Sequence, residues 1–247
     1  MNKLLRKVPE VTAFFWIIKV LTTAMGESTS DYFVRRLDPP VAVALGAVAL
    51  GVALILQFAV RRYVAWVYWL AVAMVAVFGT MAADVLHVGF GIPYIISTIF
   101  FAVVLAIIFV TWYASERTLS IHSISTRRRE LFYWATVLVT FALGTAAGDM
   151  TAVTLHLGYL TSGLLFAVLI ALPALAYWKL GMNEVAAFWC AYILTRPLGA
   201  SFADWTGKSR GIGGLGLGDG TVSLALTFLI IVFVGYLAIN RKDVETG

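Results

Sequence analysis

Four aspartates recur at the same place in a repeated pattern, and their carboxylates are the first groups in this sequence that could do chemistry. Each aspartate follows a tryptophan and then a glycine in the pattern W-x9-G-x4-D. The four copies are Trp16–Gly26–Asp31, Trp69–Gly79–Asp84, Trp134–Gly144–Asp149 and Trp189–Gly199–Asp204. Eight tryptophans in 247 residues make one such match ordinary, but four successive matches are not expected by chance. Carboxylates brought together from four repeats would bind a cation.

Further donor groups lie beside the aspartates. A glutamate or threonine follows the glycine in three copies, and the second and third copies share a Leu-His pair farther on. Carboxylates and hydroxyls form an oxygen environment that suits Mg, Ca or Mn, and added histidine shifts the preference toward Mn or Zn. The two histidines are equally well explained as hydrogen-bonded loop residues. The predicted metal ligands are Asp31, Asp84, Asp149, Asp204, Glu27, Thr80, Thr145, His87 and His156.

Two basic residues fall inside apolar segments, where charge is expensive. Lys19 precedes Glu27, and Arg196 precedes Asp204, by about two helical turns, so each pair lies on roughly one helix face. Five carboxylates against two cations leave an excess of negative charge that protons or metal ions must compensate. We predict that Lys19 and Arg196 are internal counter-charges. Pro197 is predicted to kink its helix and is a candidate gate.

Apolar segments long enough to cross a bilayer position all these residues. The chain is 61% apolar and only 13% charged, with net charge +5, which excludes a soluble globular protein. The basic residues lie in short loops, as in membrane proteins, so we expect no nucleic-acid partner. The single cysteine excludes an internal disulfide. Eight spans are predicted: Val11–Met25, Val41–Val60, Val64–Ala82, Ile92–Tyr113, Leu131–Ala147, Tyr159–Trp178, Val185–Ala203 and Thr221–Ile239.

The distribution of basic residues predicts the orientation of these spans. With eight spans, twelve lysines and arginines fall on one side of the membrane and four on the other. The basic side is normally cytoplasmic, so both termini are expected in the cytoplasm. In the repeats, tryptophan is expected to anchor the inner interface, and glycine to let helices touch.

The repeat resembles a bacterial membrane-protein family known only as a repeat of unknown function, which has four two-helix units with a G-[ST]-x-x-x-D core. Gly79-Thr80 to Asp84 and Gly144-Thr145 to Asp149 match this core best, whereas the first and fourth copies carry Glu27 and Ala200 after the glycine. The resemblance covers essentially the whole chain. It implies an architecture in the bacterial cytoplasmic (inner) membrane, but no activity.

The predicted fold is therefore an all-α polytopic membrane protein of eight transmembrane helices. It forms a single transmembrane domain of four tandem two-helix repeats, at approximately residues 11–60, 64–113, 131–178 and 185–239. Because each repeat has two spans, all four copies share one orientation, and their pseudo-symmetry axis runs along the membrane normal. The aspartates then reach one level, as a ring or as two facing pairs.

The predicted function is transport of a divalent metal cation, with manganese as the first choice of substrate. Two alternatives stay open: a proton-coupled transporter of a small organic cation, and a non-transporting membrane sensor or scaffold in which the carboxylates lock helices together. We expect neither enzymatic activity nor a covalent cofactor, because no catalytic motif is present and the glycine-rich stretch 211–220 lacks a preceding strand. The expected partners are the bilayer and metal ions or protons, and homo-oligomerisation stays open.

Overall fold

The structure is a computed structural model that describes residues 6–243, and this part of the chain is all-α. Eight α-helices form, as the sequence predicts. Side chains cap several of them: Thr12, Thr126 and Asn183 each accept a backbone hydrogen bond from the first turn of the helix that they precede. The helices are α1 Ala13–Arg36, α2 Pro39–Ala59, α3 Ala65–Asp84, α4 Tyr94–Glu116, α5 Arg127–Asp149, α6 Gly158–Leu180, α7 Glu184–Gly207 and α8 Asp219–Asn240.

Six helices are long and apolar enough to cross a membrane, so the chain is a multi-pass membrane protein. The other two, α1 and α7, carry four buried charged side chains in their interior, Lys19, Glu27, Arg196 and Asp204. Both also continue beyond their predicted spans: α1 ends at Arg36 rather than Met25, and α7 at Gly207 rather than Ala203. The two helices that are too polar to qualify as spans lie at the centre of the bundle, where the other helices shield them from lipid.

The four odd-numbered helices form an inner ring, and the four even-numbered helices pack outside it. Around the ring, α1 contacts α3, α3 contacts α5, α5 contacts α7, and α7 contacts α1. Each even helix packs mainly against the odd helix of the following repeat, and α8 closes the circle by packing against α1. The even helices are apolar on most of their surface and largely exposed, as expected of helices that face lipid. The arrangement therefore has pseudo-fourfold symmetry.

The repeat glycines allow neighbouring odd helices to touch. A Cβ atom on any of the four would lie closer than 3.0 Å to an atom of the next odd helix, so only glycine fits there. The residue contacted always stands three positions before the next repeat's glycine. The contacts are Gly26 with Ala76, Gly79 with Phe141, Gly144 with Arg196 and Gly199 with Thr23.

Aromatic side chains close the end of the ring at which the odd helices begin, which we call the tryptophan end; the opposite end is the aspartate end. The aromatic residue before each repeat tryptophan packs against the tryptophan of the next repeat, at centroid distances of 5.7 to 6.2 Å. The pairs are Phe15 with Trp69, Tyr68 with Trp134, Tyr133 with Trp189 and Phe188 with Trp16.

This packing corrects the expectation that the tryptophans are interfacial anchors. Trp69, Trp134 and Trp189 are each at least 96% buried, and the Trp189 indole donates a 2.9 Å hydrogen bond to the Leu119 carbonyl. Trp16 is half-buried against Phe188. The tryptophans hold one repeat to the next.

The segments that precede α1 and follow α8 meet at the tryptophan end. The Glu10 amide donates to the Asp243 carbonyl at 3.0 Å, and the Tyr63 hydroxyl donates to the Asp243 carboxylate. Nearby, the buried Lys7 ammonium pairs with Glu130 at 2.6 Å. Both ends of the described chain thus lie on one face, as an even number of spans requires. Met1 and Gly247, whose cytoplasmic placement the sequence predicts, lie outside the described residues.

Candidate functional site

The four repeat aspartates gather at the aspartate end as two pairs. Asp84 and Asp149 are the last α-helical residues of α3 and α5, whereas Asp31 and Asp204 lie inside α1 and α7 with about one further turn of helix after them. Asp84 and Asp149 form the first pair, and Asp31 and Asp204 form the second. Asp204 lies close enough to the first pair for the charges of Asp84 and Asp149 to act on it. The two pairs differ in the groups that neutralise them.

Asp84, Asp149 and His87 form the group that can hold a metal ion. One ligand atom from each lies within 4.8 Å of the other two, and His87 Nδ1 is 3.9 Å from Asp149 Oδ2. The imidazole is buried, and both carboxylates are half-buried. Within residues 6–243, neither carboxylate forms an ion pair with lysine or arginine. The group therefore offers two carboxylates without a permanent counter-ion.

The hydrogen bonds of His87 leave Nδ1 free to bind a metal. Its Nε2 lies 2.5 Å from the Ser97 hydroxyl, and that hydroxyl donates its own hydrogen to the Tyr94 carbonyl at 3.0 Å. In the tautomer in which Ser97 donates to this carbonyl, its oxygen accepts from Nε2–H and the lone pair lies on Nδ1. Nδ1 is buried and has no hydrogen-bond partner in the described chain. A second hydrogen bond that fixes the tautomer is the usual support of a metal-binding histidine.

An insertion in the third repeat decides which histidine reaches the aspartates. In the second repeat, residues Val85–Gly89 continue α3 as a π-turn. His87 lies within this turn, three residues after Asp84, and therefore stays at the aspartate end of the ring. The third repeat has four more residues than the second between its aspartate and its Leu-His pair, residues 150–153, and the π-turn Met150–Thr154 contains all of them. His156 comes after this turn, exposed and with φ +54°, and the structure places it outside the metal-binding group.

The second aspartate pair is neutralised by basic side chains of the chain itself. Lys208 binds Asp31 and lies 3.4 Å from Asp204. Arg35 lies 3.4 Å from Asp31 and 2.8 Å from Asp219. By sequence, Lys208 and Arg35 are two of the four basic residues on the less basic side of the membrane. The signal was present, however, because each stands four residues after its aspartate, one turn along the helix.

A buried ion pair lies on the axis of the ring. Arg196 Nη2 lies 2.7 Å from Glu27, 2.7 Å from Thr145 and beside Thr80, so its two hydrogens are shared among three acceptors, while Nη1 donates to the Thr23 carbonyl at 3.1 Å. The guanidinium thus joins three of the four residues that come directly after a repeat glycine. This corrects the predicted pairing of Arg196 with Asp204. It also turns the Thr80 and Thr145 hydroxyls, and Glu27, toward Arg196 instead of toward a metal.

Lys19 lies on the same axis, closer to the tryptophan end. Its side chain is completely buried, and Nζ is 3.8 Å from the Phe141 ring centre and 4.1 Å from that of Tyr192. In the described chain Nζ has no hydrogen-bond partner and forms no ion pair, so the predicted bridge to Glu27 is not formed. Pro197 stands inside α7, which continues through it to Gly207, and its ring packs against Gly144.

A separate cavity of about 580 Å³ opens between α1, α6 and α7 near the tryptophan end. Its walls are mainly apolar and aromatic, with Trp16, Trp178 and Phe188 among them. The Glu184 carboxylate stands at its rim, 3.7 Å from His122 Nε2.

Comparison with known proteins identifies the repeat. The family described as Repeat of Unknown Function (DUF347) matches four segments, residues 14–63, 67–118, 132–182 and 187–243, which together cover most of the chain. Neither curated proteins nor solved structures gave a match. The family description carries no activity, so the function has to be argued from the site.

Proposed function

We propose that this chain, which belongs to the DUF347 repeat family, transports a divalent metal cation that binds to Asp84, His87 and Asp149. The observation that carries the proposal is the meeting of these three ligands at one end of a membrane helix ring, with His87 Nδ1 free. Ionisable groups inside membrane proteins are costly and usually functional. Two carboxylates without a permanent counter-ion are suited to compensating the charge of a dication.

The ligand set favours manganese, with zinc as its closest competitor. Two carboxylates suit Mn, Mg and Ca, but the imidazole nitrogen disfavours Mg and Ca, which prefer oxygen ligands only. Two atoms that each lie about 2.2 Å from one ion are at most about 4.4 Å apart. The His87–Asp149 separation of 3.9 Å meets this limit, and the 4.8 Å bound of the whole group requires only small side-chain rotations. Water can complete the coordination shell.

Metal binding is tested first on the purified chain, by thermal unfolding with and without Mn²⁺. A ligand at 100 times its Kd stabilises the native state by about 2.7 kcal/mol. Asp84→Asn and Asp149→Asn should each abolish this increment, because the amide keeps the shape of the side chain but removes its charge. The same variants should fail to take up Mn²⁺ in liposomes that contain a metal-sensitive dye.

Two aspartates serve as matched controls. Asp31→Asn changes the equivalent position of the first repeat, whose carboxylate is already occupied by Lys208, so the metal increment should persist. Asp38→Asn changes an exposed aspartate at the start of α2 and should have no effect. Wild-type protein that gains no stability from Mn²⁺ or Zn²⁺ at millimolar concentration would exclude the proposed site.

A second candidate function is proton-coupled transport of a small organic cation, favoured by the cavity between α1, α6 and α7. A cavity of about 580 Å³ is within the usual size range of small-molecule sites. Its aromatic walls can bind an organic cation by cation–π contacts, and Glu184 supplies a carboxylate. Competition by organic cations against Mn²⁺ uptake, relieved by Glu184→Gln, would support this function.

A further inference from the structure

Lys19 is a buried base for which metal binding gives no role. It is fully buried, it lies on the axis of the inner ring, and its Nζ has no acceptor within residues 6–243. The nearest carboxylate along α1 is Glu27, about two turns farther on, and that carboxylate is bound to Arg196. The one carboxylate near Lys19 along α1 is therefore already occupied by Arg196.

Opposing interactions balance the charged and neutral forms of this amine. The rings of Phe141 and Tyr192 stabilise an ammonium group through cation–π contacts. The missing acceptor and the charge of Arg196 act against it. A lysine in such a setting can take up and release a proton, as membrane groups of proton relays do.

Polar groups continue from Lys19 along the axis in both directions. Toward the tryptophan end lie the buried Tyr192 hydroxyl and then the Tyr133 and Tyr68 hydroxyls, which are 2.5 Å from each other. Toward the aspartate end lie the Arg196–Glu27 pair and then the metal-binding group. These groups form a line of ionisable and hydroxyl side chains through the ring, of the kind that proton relays use.

The groups that face Lys19 come from two helices, α7 beside α1 in the ring and α5 diagonally across it. From α7, Arg196 and Tyr192 approach it, and from the diagonal helix α5 the Phe141 ring does so. The residues of α3 and α5 that correspond to Lys19 in the repeat are Val72 and Val137, which have no ionisable group. An arginine side chain is protonated at every physiological pH, so Lys19 is the basic group at this level that can give up a proton.

We propose that Lys19 binds the proton that moves against the metal cation, so that the chain is a metal–proton antiporter. The proposal rests on the proposed metal transport. A proton on Lys19 and a dication at the aspartate end repel each other through the low-dielectric core, which disfavours their simultaneous occupancy. In each cycle the ammonium of Lys19 gives up one proton and becomes an amine, and it later takes up one proton from the other side. The released proton passes to water on one side and the proton taken up comes from water on the other, so each transfer exchanges an N–H bond for an O–H bond or the reverse.

The test uses liposomes that contain the purified full chain, a metal-sensitive dye and a pH-sensitive dye. In wild type, an inward Mn²⁺ gradient should drive metal entry and a simultaneous rise of internal pH. In Lys19→Met the metal-driven pH change should fall to the level of protein-free liposomes, while Mn²⁺ still raises the thermal stability of the protein. Methionine has a similar length and keeps contacts with the aromatic rings.

A second variant and a control complete the design. Lys19→Arg keeps a permanent charge and should lose the metal-driven pH change as well, which covers the case in which Lys19→Met fails to fold. Lys179→Met removes an exposed lysine at the end of α6 and should behave as wild type. Metal-driven pH changes of wild-type size in both Lys19 variants would overturn the proton site and leave the metal site standing. Wild-type protein that neither binds nor moves Mn²⁺ would overturn both.

Discussion

Glu27→Gln tests whether the axial ion pair holds the inner ring together. The substitution keeps the size of the side chain and removes its charge, while Arg196 stays completely buried among α1, α3 and α5. Thr80 and Thr145 still accept hydrogen bonds from the guanidinium, but neither hydroxyl neutralises it. The variant therefore leaves a buried cation without a counter-ion.

The expected loss of stability follows from the geometry of the pair. Unit charges 2.7 Å apart attract each other by roughly 6 kcal/mol at an effective dielectric constant of about 20. Part of this attraction offsets the desolvation of both groups, and removing one partner of a buried pair typically costs about 3–5 kcal/mol. In a chain of this size, such a loss lowers Tm by roughly 6–20 °C. Glu184→Gln, which changes an exposed glutamate, should stay within about 0.5 kcal/mol of wild type.

A double-mutant cycle separates the charge effect from other consequences of the change. Thermal unfolding of Glu27→Gln, Arg196→Met and the double variant should show that the double variant recovers most of the loss caused by Glu27→Gln, because no unpaired charge remains. Additive losses, with the double variant less stable than either single one, would refute the view that Glu27 mainly neutralises Arg196. An unchanged Tm in Glu27→Gln would refute the axial pair altogether.

Three further changes test the packing of the ring and of the chain ends, each by thermal unfolding in detergent. Gly144→Ala should destabilise by about 1–3 kcal/mol or more, because the added methyl overlaps a side chain of α7. Trp69→Phe should destabilise by about 1–3 kcal/mol, whereas Trp66→Phe, at an exposed tryptophan on the same helix, should stay within about 0.5 kcal/mol. Burial raises the pKa of Asp243 above its usual value, so this carboxyl lowers the free energy of unfolding as pH rises from about 4 through its folded-state pKa. Asp243→Asn should remove this component of the pH dependence, and an unchanged pH profile would contradict it.

The periodicity of the repeats predicted the symmetry of the fold but not the partners on its axis. The axis-facing residues of each odd helix recur every four positions before the aspartate, as in Lys19, Thr23 and Glu27 before Asp31. This four-residue spacing can be found in the sequence. Arg196 is eight residues before its aspartate and Glu27 is four residues before its own, so the two lie at successive levels of the ring. The pairing itself depends on which helices face each other across the ring, and a repeat pattern contains no information on that.

The histidines illustrate a second limit of sequence reasoning. His87 and His156 come after their aspartates in matching Leu-His pairs, so the pattern assigns them the same role. The structure separates them, because a π-turn on an insertion carries His156 past the end of α5 to the surface. An inserted turn can lengthen a helix, widen it or displace the residues after it, and the outcome depends on packing against neighbouring helices, such as the contact of this turn with α6. Local propensity does not decide it.

Chemical function in a pseudo-fourfold ring has to come from the places where the four copies differ. At the level of Lys19 the other copies carry valine or tyrosine, and at the level of Arg196 they carry threonine, alanine and phenylalanine. The buried charges of the ring interior thus come from α1 and α7, whereas α3 and α5 supply hydroxyls there and the metal-binding group at their ends. A dication bound at Asp84 and Asp149 would therefore lie across the ring from the helices that carry Lys19 and Arg196. In the proposed exchange its charge would act on Lys19 through a protein interior that screens weakly.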